Sequence, residues 1–368
     1  EWVYRALVML VISCPCALVI SIPLGYFGGI GGASRNGILV KGANYLDALL
    51  DLSAVVVDKT GTLTRGTFDV VRTEPQNGFD RQELLRLAAL AESHSTHPIA
   101  RSIRAAYDGE IDPGEVTDVQ EDKGFGVVAT VGSHRILAGS DRLLARESVS
   151  RAEARTEAGA PAEGSTVHVA VDGTYAGYIV IADELKANAA RAIAEIKSLG
   201  VEQVFMLTGD NESIARRVAA DAGIDTYYAE LLPEEKVAKV EEIAASLPEG
   251  KRLAFVGDGI NDAPVLMRAD IGVAMGALGS DAAIEAADVV LMDDRMSGIG
   301  NAIRVSRHTR RVVLENIALA LIVKAVFLAL GAVGIATMWE AVIADMGISL
   351  LAVLNATRTL RYSRSAFD

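Results

Sequence analysis

Both ends of this chain are apolar enough to need a bilayer, and that requirement limits how everything between them can fold. Residues 2–30 are nearly all apolar or small, with Arg5 as the only charge. Residues 317–338 form a second run whose only charge is Lys324, and residues 341–354 a third with Asp345 alone. A helix crosses a bilayer with about 20 such residues. In lipid every backbone polar group must be bonded internally, so the runs are expected to be helical. Arg35 and Lys41 follow the first run. Arg304, Arg307, Arg310 and Arg311 precede the second, and Arg358, Arg361 and Arg364 follow the third. The positive-inside rule puts all these flanks in the cytoplasm, which three crossings satisfy, with Trp339-Glu340 as an interfacial turn on the outer side. The large middle of the chain is then cytoplasmic. Its acidity dominates a net charge of −13, which argues against a nucleic-acid partner.

The first run is interrupted by Ser13-Cys14-Pro15-Cys16. Proline inside a helix removes a hydrogen bond and frees backbone carbonyls. A broken helix in a membrane is tolerated where it lines a site. The chain has two cysteines, and both are here. One residue apart, they are poorly placed for a structural disulfide and fit a site for a soft ion such as zinc or copper(I). The chain opens on Glu1 with no basic n-region or cleavage site. No signal peptide is expected, and the sequence is expected to begin inside a longer protein.

Leu52-Ser53-Ala54-Val55-Val56-Val57 reads as a buried parallel strand, and it delivers Asp58-Lys59-Thr60-Gly61-Thr62-Leu63-Thr64. A carboxylate at such a strand end sits where open α/β sheets bind ligands. Residues 183–300 alternate between strand and helix. Asp183 opens a helix that ends at Leu199 before Gly200. Strands at 203–207, 253–256, 271–275 and 289–292 follow, the first leading into Thr208-Gly209-Asp210 and the second into Gly257-Asp258-Gly259-Ile260-Asn261-Asp262. Between the two halves, residues 68–182 read as an inserted α+β domain. It has a helix at 80–92 and strands at 166–171 and 175–182, joined by an Asp172-Gly173 hairpin turn.

The seven-residue string at Asp58 resembles the phosphorylation motif of the P-type ATPases, and Cys-Pro-Cys resembles the transmembrane motif of their heavy-metal branch. Lys324 in the penultimate helix and Asp345-Met346-Gly347 in the last are similar to the zinc/cadmium/lead pumps rather than the copper pumps. The resemblance covers nearly the whole chain. It implies an α/β, haloacid-dehalogenase-like phosphorylation domain with an inserted α+β nucleotide-binding domain, flanked by transmembrane helices. Residues 1–32 would be the helix with the break, and 33–67 and 183–303 the phosphorylation domain. Residues 68–182 would be the nucleotide-binding domain, and 304–368 two membrane helices and a cytoplasmic C-terminus.

The same resemblance implies roles. Asp58 would be the nucleophile. Thr208 and Lys236 would contact and neutralise the phosphoryl group. Asp58, the Thr60 carbonyl, Asp258 and Asp262 would hold Mg2+, with Asn261 completing the site. His97, Pro98, Gly124 and Gly126 would line the adenine pocket, and Thr208, Gly209 and Asp210 would complete the ATP site. Cys14, Cys16 and Asp345 would bind the transported ion, with Lys324 as built-in counter-ion. Many soluble phosphatases of the superfamily carry a second Asp two residues after the nucleophile, where this chain has Thr60. No Thr-Gly-Glu occurs to supply the base that pumps use. The expectation is therefore the catalytic and C-terminal membrane part of a Zn2+/Cd2+/Pb2+-exporting ATPase of the bacterial plasma membrane. Its partners would be ATP, the metal, lipid and the missing actuator and helices of the same pump. A copper pump, a membrane-anchored phosphatase and a truncated remnant are the rival readings.

Overall fold

The computed structural model of the chain describes residues 2–122, 125–149, 164–258, 262–276 and 281–362. Its strands are β1 (Ile38–Val40), β2 (Leu52–Asp58), β3 (Thr64–Pro75), β4 (Val116–Asp122), β5 (Gly126–Val131), β6 (His134–Gly139), β7 (Ser165–Val171), β8 (Thr174–Leu185), β9 (Gln203–Leu207), β10 (Thr226–Tyr228), β11 (Arg252–Gly257), β12 (Ile271–Met275) and β13 (Val289–Leu291). They form two sheets in two compact units. One unit holds the described parts of Glu1–Thr62, Ala187–Gly209 and Ala222–Asp368, the other Leu63–Lys186 with Asp210–Asp221.

The first unit is built on a seven-stranded sheet in the order β1-β13-β12-β11-β2-β9-β10. It is parallel except for β1, which pairs antiparallel with β13 at the edge. All seven residues of β2 are buried, as a valine run covered on both faces requires. Val56, Phe205, Phe255, Val265 and Val290 pack one side of this core. The short strands β1 and β10 were not predicted. Three residues are too few to show a period.

The same unit carries the apolar helices. Trp2–Ile12 and Cys16–Arg35 are separated at Cys14-Pro15, and Ser297–Val333 and Met338–Ala356 follow the sheet. Among the described residues, three segments are long and apolar enough to cross a membrane: Trp2–Arg35, Ser297–Val333 and Met338–Arg361. The 37-residue Ser297–Val333 helix is about 55 Å long at 1.5 Å per residue, so nearly its first half lies outside a hydrocarbon core of about 30 Å. Gly334 in a left-handed conformation ends it. The predicted outer turn at Trp339-Glu340 is displaced. Both residues lie in the first turn of the next helix, because Thr337 caps it and Glu340 Oε2 accepts from the Thr337 N–H at 2.8 Å. Glycines of the Cys16–Arg35 helix meet other segments closely. A Cβ on Gly29 would lie 2.8 Å from Thr309 Cγ2, and one on Gly32 would lie 2.6 Å from the Thr359 carbonyl.

The second unit is an antiparallel six-stranded sheet in the order β3-β8-β7-β6-β5-β4. The helix Arg81–Ala91 packs on it through Leu84, Leu85 and Ala88. Asp172 (φ 50°) and Gly173 (φ 81°) form the two-residue turn between β7 and β8. The expected helix start at Asp183 is corrected: Asp183, Glu184 and Leu185 end β8, and the helix is Ala189–Ser198. The Asp183 carboxylate accepts from the Thr64 hydroxyl and from the Gly66 N–H, which anchors it to β3.

Candidate active site and metal centre

Sheet register assembles the first site. Asp58 pairs with Leu207 on one side, and Val57 with Val256 on the other. The residues that follow those strands, Thr208 and Asp258, therefore leave the sheet beside Asp58. The chain runs β2, β9, β10 to one side, then returns to β11, β12, β13 on the other. Asp58 stands at that reversal, the ligand-binding crevice of an open parallel sheet. Thr60 (φ −76°, ψ 127°) and Gly61 (φ 73°) turn the chain sharply after it. A Cβ on Gly61 would lie 2.9 Å from Asp258 Oδ2, so the glycine permits both the turn and the approach.

Lys236, in the first turn of the helix Pro233–Ser246, reaches Asp58 Oδ1 at 2.5 Å and Asp262 Oδ1 at 3.1 Å. Asp58 and Asp262 are both buried, at 4% and 2% exposure. Burial pushes the Asp58 carboxyl up to about 7, and the Asp262 charge adds to the shift against the pull of Lys236. Burial opposes the charge on Lys236, but Asp58 and Asp262 outweigh it and hold that ammonium above its usual range. Thr208 is buried, with its N–H donating to the Tyr228 carbonyl at 3.0 Å. The cluster is a set of hard oxygen donors around one lysine. It fits Mg2+, with Asp58, Asp258, Asp262 and the Thr60 carbonyl as the available ligands, and does not fit a soft ion. Thr62 was not singled out from the sequence. Its hydroxyl is fully buried without a hydrogen-bond partner among the described residues, four residues after Asp58.

The predicted adenine residues lie in the second unit. The His97 N–H donates to Ser95 Oγ at 3.3 Å, and His97 Nδ1 accepts from the Ile99 N–H at 3.2 Å, capping the helix Pro98–Ala106. Gly126 has φ 135°, and a Cβ there would strike the Ala138 carbonyl. Gly124 and Asn261 lie outside the described residues. Asp210 groups with this unit, whereas Thr208 and Gly209 belong to the first. Sequence reasoning also missed Glu92. It is 6% exposed. Burial, then the Glu121 charge, push it up to about 7, against Ser95 and Arg104. Arg104 donates to the carbonyls of Glu92 and Ser95. The signal available was an acid at the end of an apolar helix, beside the Ser-Thr-His-Pro string.

The second site is the helix break. Ligand atoms of Cys14, Cys16 and Asp345 all lie within 4.8 Å of one another. Lys324 Nζ donates to Asp345 Oδ1 at 2.7 Å, to the Ile12 carbonyl at 3.0 Å and to the Cys14 carbonyl. The carbonyls freed by Pro15 are thus partly satisfied by an ammonium from another helix. The expectation that the cysteines are poorly placed for a disulfide is corrected, because the structure joins Cys14 and Cys16. Their Cα atoms are 5.5 Å apart across the proline, within disulfide reach. As thiolates the pair would offer two soft ligands beside one carboxylate.

A seven-stranded, mostly parallel sheet with a cluster of carboxylates and a lysine at its strand ends, interrupted by a second unit, defines the class. The haloacid dehalogenase-like hydrolase family matches residues 52–270, and the chain belongs to that family. It is 59% identical to the zinc-transporting ATPase of Synechocystis sp. over 97% of this chain and 49% of that protein. It is 56% identical to the cadmium, zinc and cobalt-transporting ATPase of Bacillus subtilis, over 98% and 51%. Its structure is similar to that of a zinc-transporting PIB-type ATPase in the E2.Pi state, with a TM-score of 0.85 at 38% identity, covering 98% of this chain and 58% of that one. In sequence and fold the chain groups with the P-type ATPases. It spans about half the length of the curated relatives it matches.

Proposed function

We propose that the chain is the catalytic and membrane part of an ATP-driven exporter of Zn2+, Cd2+ or Pb2+ that works through an aspartyl phosphate. The reading rests on one observation above all. A cluster of two cysteines and a carboxylate lies within bilayer-spanning helices of a chain that also carries the buried Asp58, Lys236 and Asp262 site. Lys236 occupies Asp58 Oδ1, which leaves Oδ2 to attack the γ-phosphorus of ATP. The bond to the leaving oxygen breaks, ADP departs and the phosphoryl group stays on Asp58. Lys236 and the Thr208 hydroxyl stabilise the charge on the phosphoryl oxygens. Bound Mg2+ would neutralise charge between the phosphates and the carboxylates. His97 and Gly126 serve the nucleotide.

In the membrane, Cys14, Cys16 and Asp345 take the ion, and Lys324 must release Asp345 when the ion binds. Return of Lys324 to Asp345 then favours discharge. The hard carboxylate beside two thiolates favours a divalent ion over Cu+. Release of the phosphate needs a base that Thr60 cannot supply, and we assign it to an actuator segment of the same pump. The test is an ATPase assay of the full-length pump with Zn2+, Cd2+, Pb2+ and Cu+, run with acid-stable phosphoenzyme labelling. Asp58→Asn should abolish the labelling while metal binding persists. Labelling retained in Asp58→Asn, or stimulation by Cu+ alone, would overturn the reading.

A further inference from the structure

We propose that a pocket where the helices enter the membrane binds the phosphate of an anionic phospholipid on the cytoplasmic side. The cavity measures about 540 Å3. Arg307, Arg310 and Arg311 line one end of it, and Leu314 and Ala318 continue along the same helix. The spacing i, i+3, i+4, i+7, i+11 puts all five on one helix face. Leu50, just before β2, closes the pocket from the sheet side. Along this face the lining changes from basic to apolar, the order in which a bilayer presents phosphate and then acyl chain. The apolar run starts at residue 317. Arg311 therefore lies about 9 Å outside it at 1.5 Å per residue, within reach of the headgroup layer for a long side chain.

The arginines keep donors for a ligand. Arg310 gives Nη1 to Asp47 at 3.1 Å, and Arg307 gives Nη2 to the Leu199 carbonyl. A guanidinium has five N–H groups, so each retains several. Arg311 has no hydrogen-bond or ion-pair partner among the described residues. Glu315 also lines the cavity, but its Oε2 already accepts from Arg358 at 2.8 Å. The pocket stays net positive, and guanidinium groups bind phosphate oxygens in bidentate pairs. Free phosphate shares that chemistry. The apolar wall of Leu50, Leu314 and Ala318 favours a phosphate that carries acyl chains.

The test places the full chain in phosphatidylcholine nanodiscs containing phosphatidylglycerol and counts the lipid retained by native mass spectrometry. Phosphatidylglycerol should be retained over phosphatidylcholine. Arg311→Gln removes no internal bond, so its unfolding midpoint should match the parent while retention falls about fivefold to tenfold. Arg361→Gln, an exposed cation outside the pocket, should leave retention unchanged. Equal retention of the two lipids, or equal losses in Arg311→Gln and Arg361→Gln, would overturn the proposal. So would Arg311-dependent binding of inorganic phosphate as tight as that of the lipid.

Discussion

At the residue scale, the half-buried Lys236 and the buried Glu92 each make a prediction. Lys236 bonds two buried carboxylates. Lys236→Ala leaves them facing each other without a cation, and breaking a buried pair in this way costs about 3–5 kcal/mol. Phosphoenzyme yield should fall, and the unfolding midpoint should fall with it. Lys236→Arg should recover stability better than labelling, because its fork cannot occupy the same point between Asp58 and Asp262. Glu92 is a buried acid pushed up from 4.5 to about 7. A raised carboxyl stabilises the fold below its unfolded value, and that contribution is lost as pH rises through about 7. Glu92→Gln should therefore unfold later than the parent at pH 8, by on the order of 2–3 kcal/mol. The gain should vanish near pH 5. A pH series of thermal melts checks both the sign and the window, and equal gains at the two pH values would remove the role of the charge.

At the scale of elements, the Cys16–Arg35 helix packs through glycine. Gly25 faces Val313, Gly28 faces Thr359, Gly29 faces Thr309, and Gly32 faces the Thr359 carbonyl. Without a hydrophobic drive between helices in lipid, close backbone approach supplies much of the packing. A methyl at Gly29 meets the Thr309 side chain below van der Waals distance. Gly29→Ala should cost about 1–3 kcal/mol by overpacking. In a Thr309→Ala background part of that cost should disappear, which a double-mutant cycle of unfolding free energies measures. Additive losses would show that the two residues do not share the contact. The basic start of the Ser297–Val333 helix is held to the sheet unit by Arg304 on Glu195 and Arg310 on Asp47, while the Tyr26 hydroxyl donates to the same Asp47. These bonds tie two apolar helices to elements beside the seven-stranded sheet.

At the scale of the whole molecule, metal binding at the proposed membrane site should depend on the redox state of the helix break. Cys14 and Cys16 are joined, and a disulfide offers no thiolate to a metal. Zn2+ or Cd2+ should bind the chain after reduction and be lost on reoxidation. Asp345→Asn should weaken binding to the reduced chain at least about tenfold, because a neutral amide replaces an anionic ligand, as equilibrium dialysis with elemental analysis would read. Undiminished binding to the oxidised chain would place the metal elsewhere.

Much of this protein was legible in its residues in order. The valine run before Asp58 announces a central parallel strand, because a strand covered on both faces has no polar side to show. Lys324 and Asp345 stand out because charge in an apolar run is costly, and cost demands a partner. The Asp172-Gly173 turn follows from local backbone freedom alone. Other features rest on contacts between residues far apart in sequence. Nothing near Glu92 shows that Glu121 will lie beside it. The extension of β8 through Asp183 depends on hydrogen bonds to Thr64 and Gly66, which outweigh a local pattern that favours a helix. The sequence by itself determined which segments are apolar enough to enter the bilayer and that Asp58 ends a buried strand, since both follow from local polarity and period. Only the tertiary structure decided that Lys236 stands between Asp58 and Asp262, and that three arginines share a pocket with Leu50. Long-range packing alone brings those groups together.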